Sequence, residues 1–311
     1  MRMNTTHKVY LSVLFVVTAV VLCTLPFLLI DKETIYIYTQ NQTPNSKERG
    51  FIDELKKNGY RVIFNKQTSK KQKVAIWFKS PNTIREIMTT TPFEYNFVYN
   101  EDYYPFNWRG LIKQPIILTP YQDLYEHYMR SNIKSAVFYL GVNLKEYYPI
   151  KTNKQNLAYY EQRTASSDTG AYLSTFDNIN YIGRFWINNL DYNASSEIIS
   201  KNENDMLSKA YAVVIDGNNH NKLIPDEIIQ AAASGALIIT PKTDIVYKTF
   251  QDSLVYYNNK EDIKDLADYY KKYETLSADK TNKARQIVVN TLSSSASVKR
   301  FLSLLEWITT N

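Results

Sequence analysis

Cysteine, histidine and glycine are all scarce in this sequence of 311 residues, which has one cysteine, three histidines and eight glycines. Because the single cysteine, Cys23, lies inside an apolar run, the chain has no intramolecular disulfide and no cysteine zinc cluster. The only histidines are His7, His127 and His220, and no G-x-S-x-G sequence occurs, which argues against a Ser-His-Asp hydrolase. A cysteine nucleophile in the soluble body is excluded as well.

Glycine-rich phosphate-binding sequences are also absent. Neither G-x-G-x-x-G nor G-x-x-x-x-G-K-[ST] occurs, so no motif supports a dinucleotide cofactor or a P-loop nucleotide. No D-x-D pair is present to hold Mg²⁺ or Mn²⁺ against a diphosphate. We therefore expect neither a cofactor nor a metal ion.

Positive charge is in small excess, with 37 Lys and Arg residues against 31 Asp and Glu residues. Two of the basic residues, Arg2 and Lys8, lie in the amino-terminal flank (residues 1–8), and the rest of the chain is too weakly basic to suggest a nucleic-acid-binding face. A hydrophobic fraction of 44% with 22% charged residues is typical of a globular protein. We expect no nucleic-acid partner.

A long apolar run without charge covers residues 9–30. As a helix it would extend about 33 Å, enough to cross a hydrocarbon core of about 30 Å. A cleaved signal peptide is the alternative, but its apolar region is usually about 7–15 residues and ends in small residues before the cleavage site. We predict an uncleaved, single-pass transmembrane anchor in contact with membrane lipid.

The orientation of this anchor follows from its flanking charges. Arg2 and Lys8 precede the apolar run, so the positive-inside rule places the body of the protein outside the cytoplasm. This location would be the Golgi lumen in a eukaryote. In a bacterium, the cytoplasmic face of the inner membrane is the alternative.

Alternating strand and helix patterns follow the anchor. One alternation covers residues 34–133 and a second begins at 136 and continues to 311, with a polar, aperiodic stretch at 151–175 that we interpret as a loop. Such alternation with near-continuous apolar strands predicts parallel sheets covered on both faces. We expect an α/β protein with two Rossmann-like domains facing a cleft, and the pattern allows the last helix, around residues 301–307, to return to the first domain.

Residues 223–240 read as a loop, a helix with Pro225 at its start, a break at Gly235 and a buried strand. Asp226 and Glu227 fall in the first turn, where a favourable interaction with the helix dipole would explain them without any function. In the alternative, functional interpretation, this helix end faces the cleft and binds a diphosphate through its N–H groups, while Gln230 binds a ribose.

A candidate general base lies in the first half of the chain. Glu101 and Asp102 follow a predicted strand at its carboxyl end, the edge of a parallel sheet where ligands bind. The alternative is that both are acids on a surface loop.

Four segments of the second half carry a resemblance to a known family. They are LGVNLKEYYP (140–149), NYIGRFW (180–186), PDEIIQAAASGALIIT (225–240) and SLVYYNNKEDIKDLADYY (253–270). In order and chemistry they resemble the carboxyl-terminal half of GT-B-fold glycosyltransferases, especially the spore-maturation-type "group 1" family and more distantly the α1,3-fucosyltransferases. The resemblance implies GT-B architecture, a nucleotide-sugar donor in the second domain, and a donor diphosphate contacted by Arg184.

Two positions depart from the family pattern. Glu227 stands where the family has a basic residue, and Gln230 stands where it has a ribose-binding Glu. Because an anion beside a diphosphate is unfavourable, another cation must compensate or the donor site is altered. Arg184 and Lys222 are the candidate cations.

The sequence therefore predicts a membrane-anchored, metal-independent glycosyltransferase of the hexosyl or fucosyl type. Its partners would be a nucleotide-sugar donor and a glycan or lipid-linked acceptor. A catalytically altered GT-B relic that binds or scaffolds is the first alternative, because of Glu227 and Gln230. A receptor domain like the periplasmic binding proteins is the second, although that class lacks the helix–Gly–strand segment at 225–240.

Overall fold

The structure is a computed structural model that describes residues 33–40, 43–66, 68, 71–78, 93–101, 114–161, 168–173, 176, 179–183, 185–187, 190–192, 196–216 and 223–310. The predicted anchor at 9–30 lies outside these residues. Within the part of the chain that is described, no helix combines the length and the apolar character needed to cross a membrane.

The first domain is built on a sheet of six parallel strands. Its strands are β1 (Thr34–Thr39), β2 (Arg61–Phe64), β3 (Gln72–Phe78), β4 (Phe93–Tyr99), β5 (Ile116–Thr119) and β6 (Ser135–Val137). Their order across the sheet is β2-β1-β3-β4-β5-β6. Since the order changes direction at β1, the carboxyl ends of β1 and its neighbour β3 border a crevice of the kind that binds ligands in such sheets.

Helix α1 (Ser46–Lys57) follows β1 and covers one face of this sheet. It begins with a capping box, in which the Asn45 side chain accepts a hydrogen bond from the Glu48 N–H while the Glu48 carboxylate accepts one from the Asn45 N–H. Phe51 and Leu55 are buried on its inner side. The capping box therefore fixes where the helix begins, immediately beside the carboxyl edge of β1.

The opposite face of the first sheet is covered by α2 (Gln122–Arg130). Tyr36 and Tyr38 of β1 point to this side, whereas Ile35 and Ile37 point towards α1. This alternation is what a parallel strand buried on both faces requires.

The second domain contains a five-stranded parallel sheet. Its strands are β7 (Asn156–Glu161), β8 (Ile179–Gly183), β11 (Ala210–Val214), β12 (Ile238–Pro241) and β13 (Val255–Tyr257), while β9 (Phe185–Ile187) and β10 (Leu190–Tyr192) form a separate antiparallel pair. The order of the sheet is β13-β12-β11-β7-β8.

Six helices belong to the described part of this domain. They are α3 (Asp168–Leu173), α4 (Ser196–Lys209), α5 (Asp226–Ala233), α6 (Asp244–Phe250), α7 (Asp262–Lys272) and α8 (Glu274–Ile287), with a 3₁₀ turn at Gln251–Ser253 and a π turn at Val288–Leu292. Buried side chains of α5 and α8 pack on one face of the sheet, and those of α7 pack on the other. The alternation in the sequence thus predicted two parallel sheets, although not every strand of them.

The prediction of a polar loop at 151–175 is wrong in its central part. Strand β7 lies within this range and is the fourth strand of the second sheet, and α3 lies there as well. The apolar run of β7 is only residues 157–160, all buried, and polar residues flank it on both sides. Because the run is so short, the polar flanks dominated the pattern.

The boundary between the domains also differs from the predicted one. Strand β6 is the edge strand of the first sheet, although we assigned residues from 136 onward to the second domain. The last helix, α9 (Ser294–Thr310), packs its buried Val298, Phe301 and Leu305 into the first domain's core beside Phe51. This is the return of the chain that the sequence allowed, so the chain crosses between the domains twice.

Candidate functional site

A narrow cleft that is open to solvent lies between the two domains. Its walls come from the residues just after β1, β4, β5 and β6 in the first domain and from the start of α5 in the second. Its charged and polar lining side chains are Ser46, Lys47, Tyr99, Glu101, Tyr139, Asn143, Tyr147, Asp226 and Gln230. The cleft therefore lies at the carboxyl ends of parallel strands, where α/β folds bind ligands.

Lys47, in the first turn of α1, joins the two walls of this cleft. Its ammonium nitrogen lies 2.8 Å from a carboxylate oxygen of Glu101 in the first domain and 2.5 Å from one of Asp226 in the second. The Lys47 side chain is 23% exposed, against 48% for Glu101 and 35% for Asp226. The three residues, which we call the cleft triad, put one cation between two carboxylates that come from different domains.

The charges of the cleft triad affect the titration of its neighbours. Burial lowers the pKa of Lys47, but the attraction of Asp226 and Glu101 outweighs it and raises that pKa above the ordinary range. Burial, followed by the negative charges of Glu101 and Asp226, raises the pKa of Tyr99 well above its usual value. At neutral pH the cleft thus presents a charged lysine and a neutral phenol.

The two acids at the start of α5 point to different places. Asp226 faces the cleft, whereas Glu227 is buried at 6% exposure near Tyr160. Burial is the main cause of the raised pKa of the Tyr160 phenol, and the charges of Glu203 and Glu227 add to it. Pro225 forms the N-cap of α5 without a side-chain cap, and its carbonyl accepts hydrogen bonds from the N–H groups of Ile228 and Ile229. The negative charge of Asp226, in the first turn of α5, is therefore balanced by Lys47, a cation from the other domain.

Gln230, one turn further along α5, lines the cleft and contacts a buried polar network. The Tyr160 hydroxyl donates a hydrogen bond to a carboxylate oxygen of Glu203 on α4. Its oxygen also lies 2.6 Å from Gln230 Oε1. The other oxygen of that carboxylate accepts a hydrogen bond of 2.8 Å from Tyr147, which itself lines the cleft. Tyr160, Tyr147 and Glu203 are all buried, and we call them, with Gln230, the tyrosine–glutamate network.

The structure brings Glu101, Asp226 and Gln230 to one cleft and separates Glu227 from them. The donor and acceptor roles assigned to these residues stay predictions. Asp102, Arg184 and Lys222 lie outside the described residues, so their roles stay predictions. Within the described ranges, no three His, Cys, Asp or Glu side chains are grouped so that they could hold a metal ion.

Sequence reasoning missed Lys47 and three members of the tyrosine–glutamate network, which are Tyr147, Tyr160 and Glu203. Lys47 comes directly after the first strand and its loop, at the carboxyl edge of the predicted sheet, so the rule that selected Glu101 could have selected it too. Tyr147 and Glu203 are far apart in sequence, and no local pattern links them.

Two parallel α/β sheets that face each other across such a cleft define the GT-B class of folds. Among solved structures, a glycosyltransferase from Rickettsia africae matches 90% of this chain and 100% of its own, with 14% identity and a TM-score of 0.58. Sucrose-phosphate synthase from Thermosynechococcus elongatus matches with 10% identity, 90% and 100% coverage and a TM-score of 0.56. Anabaena HepE, solved in complex with UDP-glucose, matches with 9% identity, 87% and 99% coverage and a TM-score of 0.51.

These similarities establish the GT-B fold over nearly the whole chain. No protein-family model matches the chain, and a comparison with curated proteins finds no match either. The resemblance to the spore-maturation-type family therefore remains a prediction from the sequence.

Proposed function

We propose that this chain is a membrane-anchored, metal-independent glycosyltransferase that moves a sugar from a nucleotide-sugar donor to a glycan or lipid-linked acceptor. The observation that carries the proposal is the cleft triad, in which Lys47 brings a carboxylate of each domain to one point of the cleft. The GT-B fold supports it, and among proteins of similar fold HepE was crystallised with UDP-glucose.

The donor nucleotide is proposed to lie against the second domain, near the start of α5 and Gln230. Helix N-termini favour anions because their first N–H groups are not used within the helix. Lys47 would break its ion pair with Asp226 and bind the diphosphate. Arg184 and Lys222 remain the predicted additional cations. This arrangement would offset the negative charge that Asp226 places beside the phosphates.

Glu101 is the proposed general base on the acceptor side. Its carboxylate lies on the first domain's wall of the cleft, 2.8 Å from the Lys47 ammonium, and a carboxylate in such a place can accept a proton from a bound hydroxyl. In the overall reaction the acceptor oxygen bonds to the anomeric carbon of the sugar, and the bond from that carbon to the diphosphate breaks. Glu101 takes the acceptor's hydroxyl proton, while Lys47 balances the charge that remains on the leaving diphosphate.

The test is calorimetric titration of the full-length protein with UDP-, GDP- and CMP-sugars, followed by turnover assays with and without EDTA. We expect one donor class to bind, and Lys47→Ala to weaken its binding about 10-fold or more through loss of a charge-assisted contact. Lys145→Ala is the matched control, because Lys145 forms an exposed ion pair with Asp53 away from the cleft. Absence of binding by every nucleotide sugar would refute the proposal.

The alternative is a GT-B relic that binds a nucleotide sugar without transferring it. It is favoured by the departure at position 227, since Glu227 is buried and offers no cation to the cleft. Donor binding with no transfer, in the wild type and in Glu101→Gln alike, would support the relic over the enzyme.

A further inference from the structure

The amino ends of the strands in the first sheet form an edge that faces away from the cleft. This follows because the cleft lies at the carboxyl ends of the same strands. Glu33, just before β1, connects three strands at this edge. Its carbonyl accepts a hydrogen bond of 3.1 Å from the Arg61 N–H of β2, and its carboxylate lies 2.8 Å from the Lys73 ammonium of β3. All three residues are exposed, so this edge carries charge at its surface.

Helix α9 ends at the same edge. Burial is the main cause of the raised pKa of Tyr60, which precedes β2. The charges of Glu33 and Glu306 raise this pKa further, and the charge of Lys73 opposes them, so the end of α9 lies near Tyr60. Trp307, the next residue of α9, is 63% exposed, although tryptophan is a large side chain that folding usually buries. The residues of this edge, which we call the amino edge, are Glu33, Tyr60, Arg61, Lys73 and Trp307.

The predicted anchor joins the described chain at the amino edge. Only residues 31–33 separate the apolar run at 9–30 from β1, and three residues extend at most about 11 Å when fully stretched. An anchor that spans the bilayer would therefore hold the amino edge close to the lipid headgroups. Tryptophan and tyrosine are enriched at that level, and arginine and lysine extend their charged ends to it. The amino edge contains all four of these residue types.

We propose that the amino edge is a docking surface for a phospholipid bilayer, on which Trp307 enters the headgroup region and Arg61 contacts lipid phosphates. This inference rests on the anchor of the proposed function, and it adds a contact between the folded first domain and the membrane. The ion pair with Lys73 balances the charge of Glu33, the described carboxylate nearest to the anchor in sequence.

The docked orientation fixes the direction in which the cleft opens. Strand β1 has six residues, so it extends about 17 Å from the amino edge to its carboxyl end, where the cleft begins. The first domain then stands between the bilayer and the cleft. An acceptor sugar has to reach that height, which the outer end of a glycan chain does and a single sugar joined directly to a lipid headgroup does not. The docked orientation therefore favours a glycan acceptor.

The experiment measures contact between α9 and lipid in the full-length protein. It uses vesicles of phosphatidylcholine and phosphatidylglycerol that contain a lipid with a spin-labelled headgroup. Because Cys23 is the only cysteine, Cys23→Ser provides a background in which one fluorescent label can be attached to a chosen position. Thr310→Cys places the label at the exposed end of α9, about one turn after Trp307, and leaves the tryptophan in place.

Thr275→Cys in the same background is the matched control. Thr275 is also exposed and also follows an exposed aromatic residue, Tyr273, but it lies in the second domain just after the end of α7. At that end of α7 the Lys271 ammonium lies 4.8 Å from the centre of the Tyr211 ring, at the start of β11. This is the amino edge of the second sheet, which points away from the cleft and from the first domain.

We expect the spin-labelled lipid to quench the label at position 310 several-fold more than the label at position 275. Adding Trp307→Ala to Thr310→Cys should remove most of this difference without lowering the unfolding temperature, because the Trp307 side chain is largely exposed. Tyr273→Ala in the same protein should change nothing. Equal quenching at positions 310 and 275 would overturn the proposal, and so would quenching at 310 that does not depend on Trp307.

Three measurements keep this inference separate from the proposed function. Flotation of the protein with vesicles tests the anchor, and titration with nucleotide sugars tests the donor. A protein that floats and binds a donor, but whose label at 310 is not quenched by lipid, would refute the docking surface alone. A protein that does not float would refute both the anchor and the docking surface. Self-quenching of the label at 310 in place of quenching by lipid would show that a second copy of the chain covers the amino edge, which also refutes the proposal.

Discussion

Two of the places where the described parts of the domains meet have opposite character. At the front, the cleft triad joins them through three partly exposed charged side chains. At the rear, residues 141–143 run beside residues 292–294, where the Val142 N–H donates to the Leu292 carbonyl at 2.8 Å and the Ser294 N–H donates to the Val142 carbonyl at 3.0 Å. The front junction is made of side chains that a ligand can displace. The rear junction is mainly buried backbone, with the exposed Lys145–Asp53 ion pair at its edge.

This difference indicates which junction can open. Exposed ion pairs contribute little to stability and weaken in salt, whereas buried backbone hydrogen bonds are costly to break. An anion that enters the cleft can therefore compete with Asp226 for Lys47 while the rear junction keeps the domains in register. Four changes test this contrast, and we order them from the largest expected effect to the smallest.

Gly141→Ala should have the largest effect, because it acts on the rear junction. Gly141 has a positive φ of +80°, and a Cβ there would lie 2.5 Å from the carbonyl carbon and oxygen of Ser293. We expect a loss of roughly 3 kcal/mol in the free energy of unfolding, from backbone strain and from the clash. Denaturant unfolding measures it, and Gly59→Ala is the control, since Gly59 also has positive φ but has open space around it. Equal losses in the two variants would show that the tight contact contributes nothing.

Gly50→Ala, on α1, should disturb the same junction less. A Cβ at position 50 would meet the Ser294 hydroxyl oxygen, a side-chain atom, and would lie 3.0 Å from Asn143 Cβ. We expect a loss of about 1–2 kcal/mol in unfolding free energy. The double variant Gly50→Ala/Ser294→Ala should be less destabilised than the sum of the two single changes, because the hydroxyl in the way is gone. A strictly additive result would place the strain elsewhere.

Lys47→Ala should alter the front junction with little effect on stability. Removal of the cation leaves Glu101 and Asp226 facing each other, so we expect about 1 kcal/mol of destabilisation and a wider cleft. Small-angle X-ray scattering should show a larger radius of gyration for this variant than for Lys145→Ala, whose ion pair with Asp53 lies at the rear. An unchanged radius of gyration, together with a stability loss as large as that of Gly141→Ala, would contradict the difference that we describe between the front and rear junctions.

Salt should produce the smallest effect. Raising the salt concentration from about 0.05 to about 0.5 M screens the cleft triad and should cost roughly a few tenths of a kcal/mol in the wild type. The radius of gyration should rise with salt in the wild type and stay constant in Lys47→Ala. A salt response that is the same in both proteins would mean that the triad does not hold the front closed.

Much of the fold could be predicted because it depends on residues that are close together in the sequence. The helix that begins after Pro225 and the break at Gly235 follow from backbone conformations that particular residues favour, and Gly235 has a φ of +75°. Strand β7 was missed because its four buried residues lie between polar flanks, and the pattern averaged over this stretch is that of a loop.

The site was predictable only where it depends on position along one element. Asp226 and Gln230 lie on one helix, so their spacing placed both at the cleft. Lys47 meets Asp226 only because two domains pack together, and Glu203 meets Tyr160 through the packing of α4 on β7. Neither of these tertiary contacts can be predicted from the local sequence.

The return of α9 to the first domain has a consequence for how the protein is made. During synthesis the strands of the first sheet emerge early, but the core beside Phe51 and Phe97 lacks Phe301 until nearly the whole chain has left the ribosome. The core of the first domain therefore stays incomplete, with an apolar groove exposed to solvent, while the second domain is translated and folds. A stop codon placed just before α9 should give a nascent chain that chaperones retain, although both sheets are encoded in full.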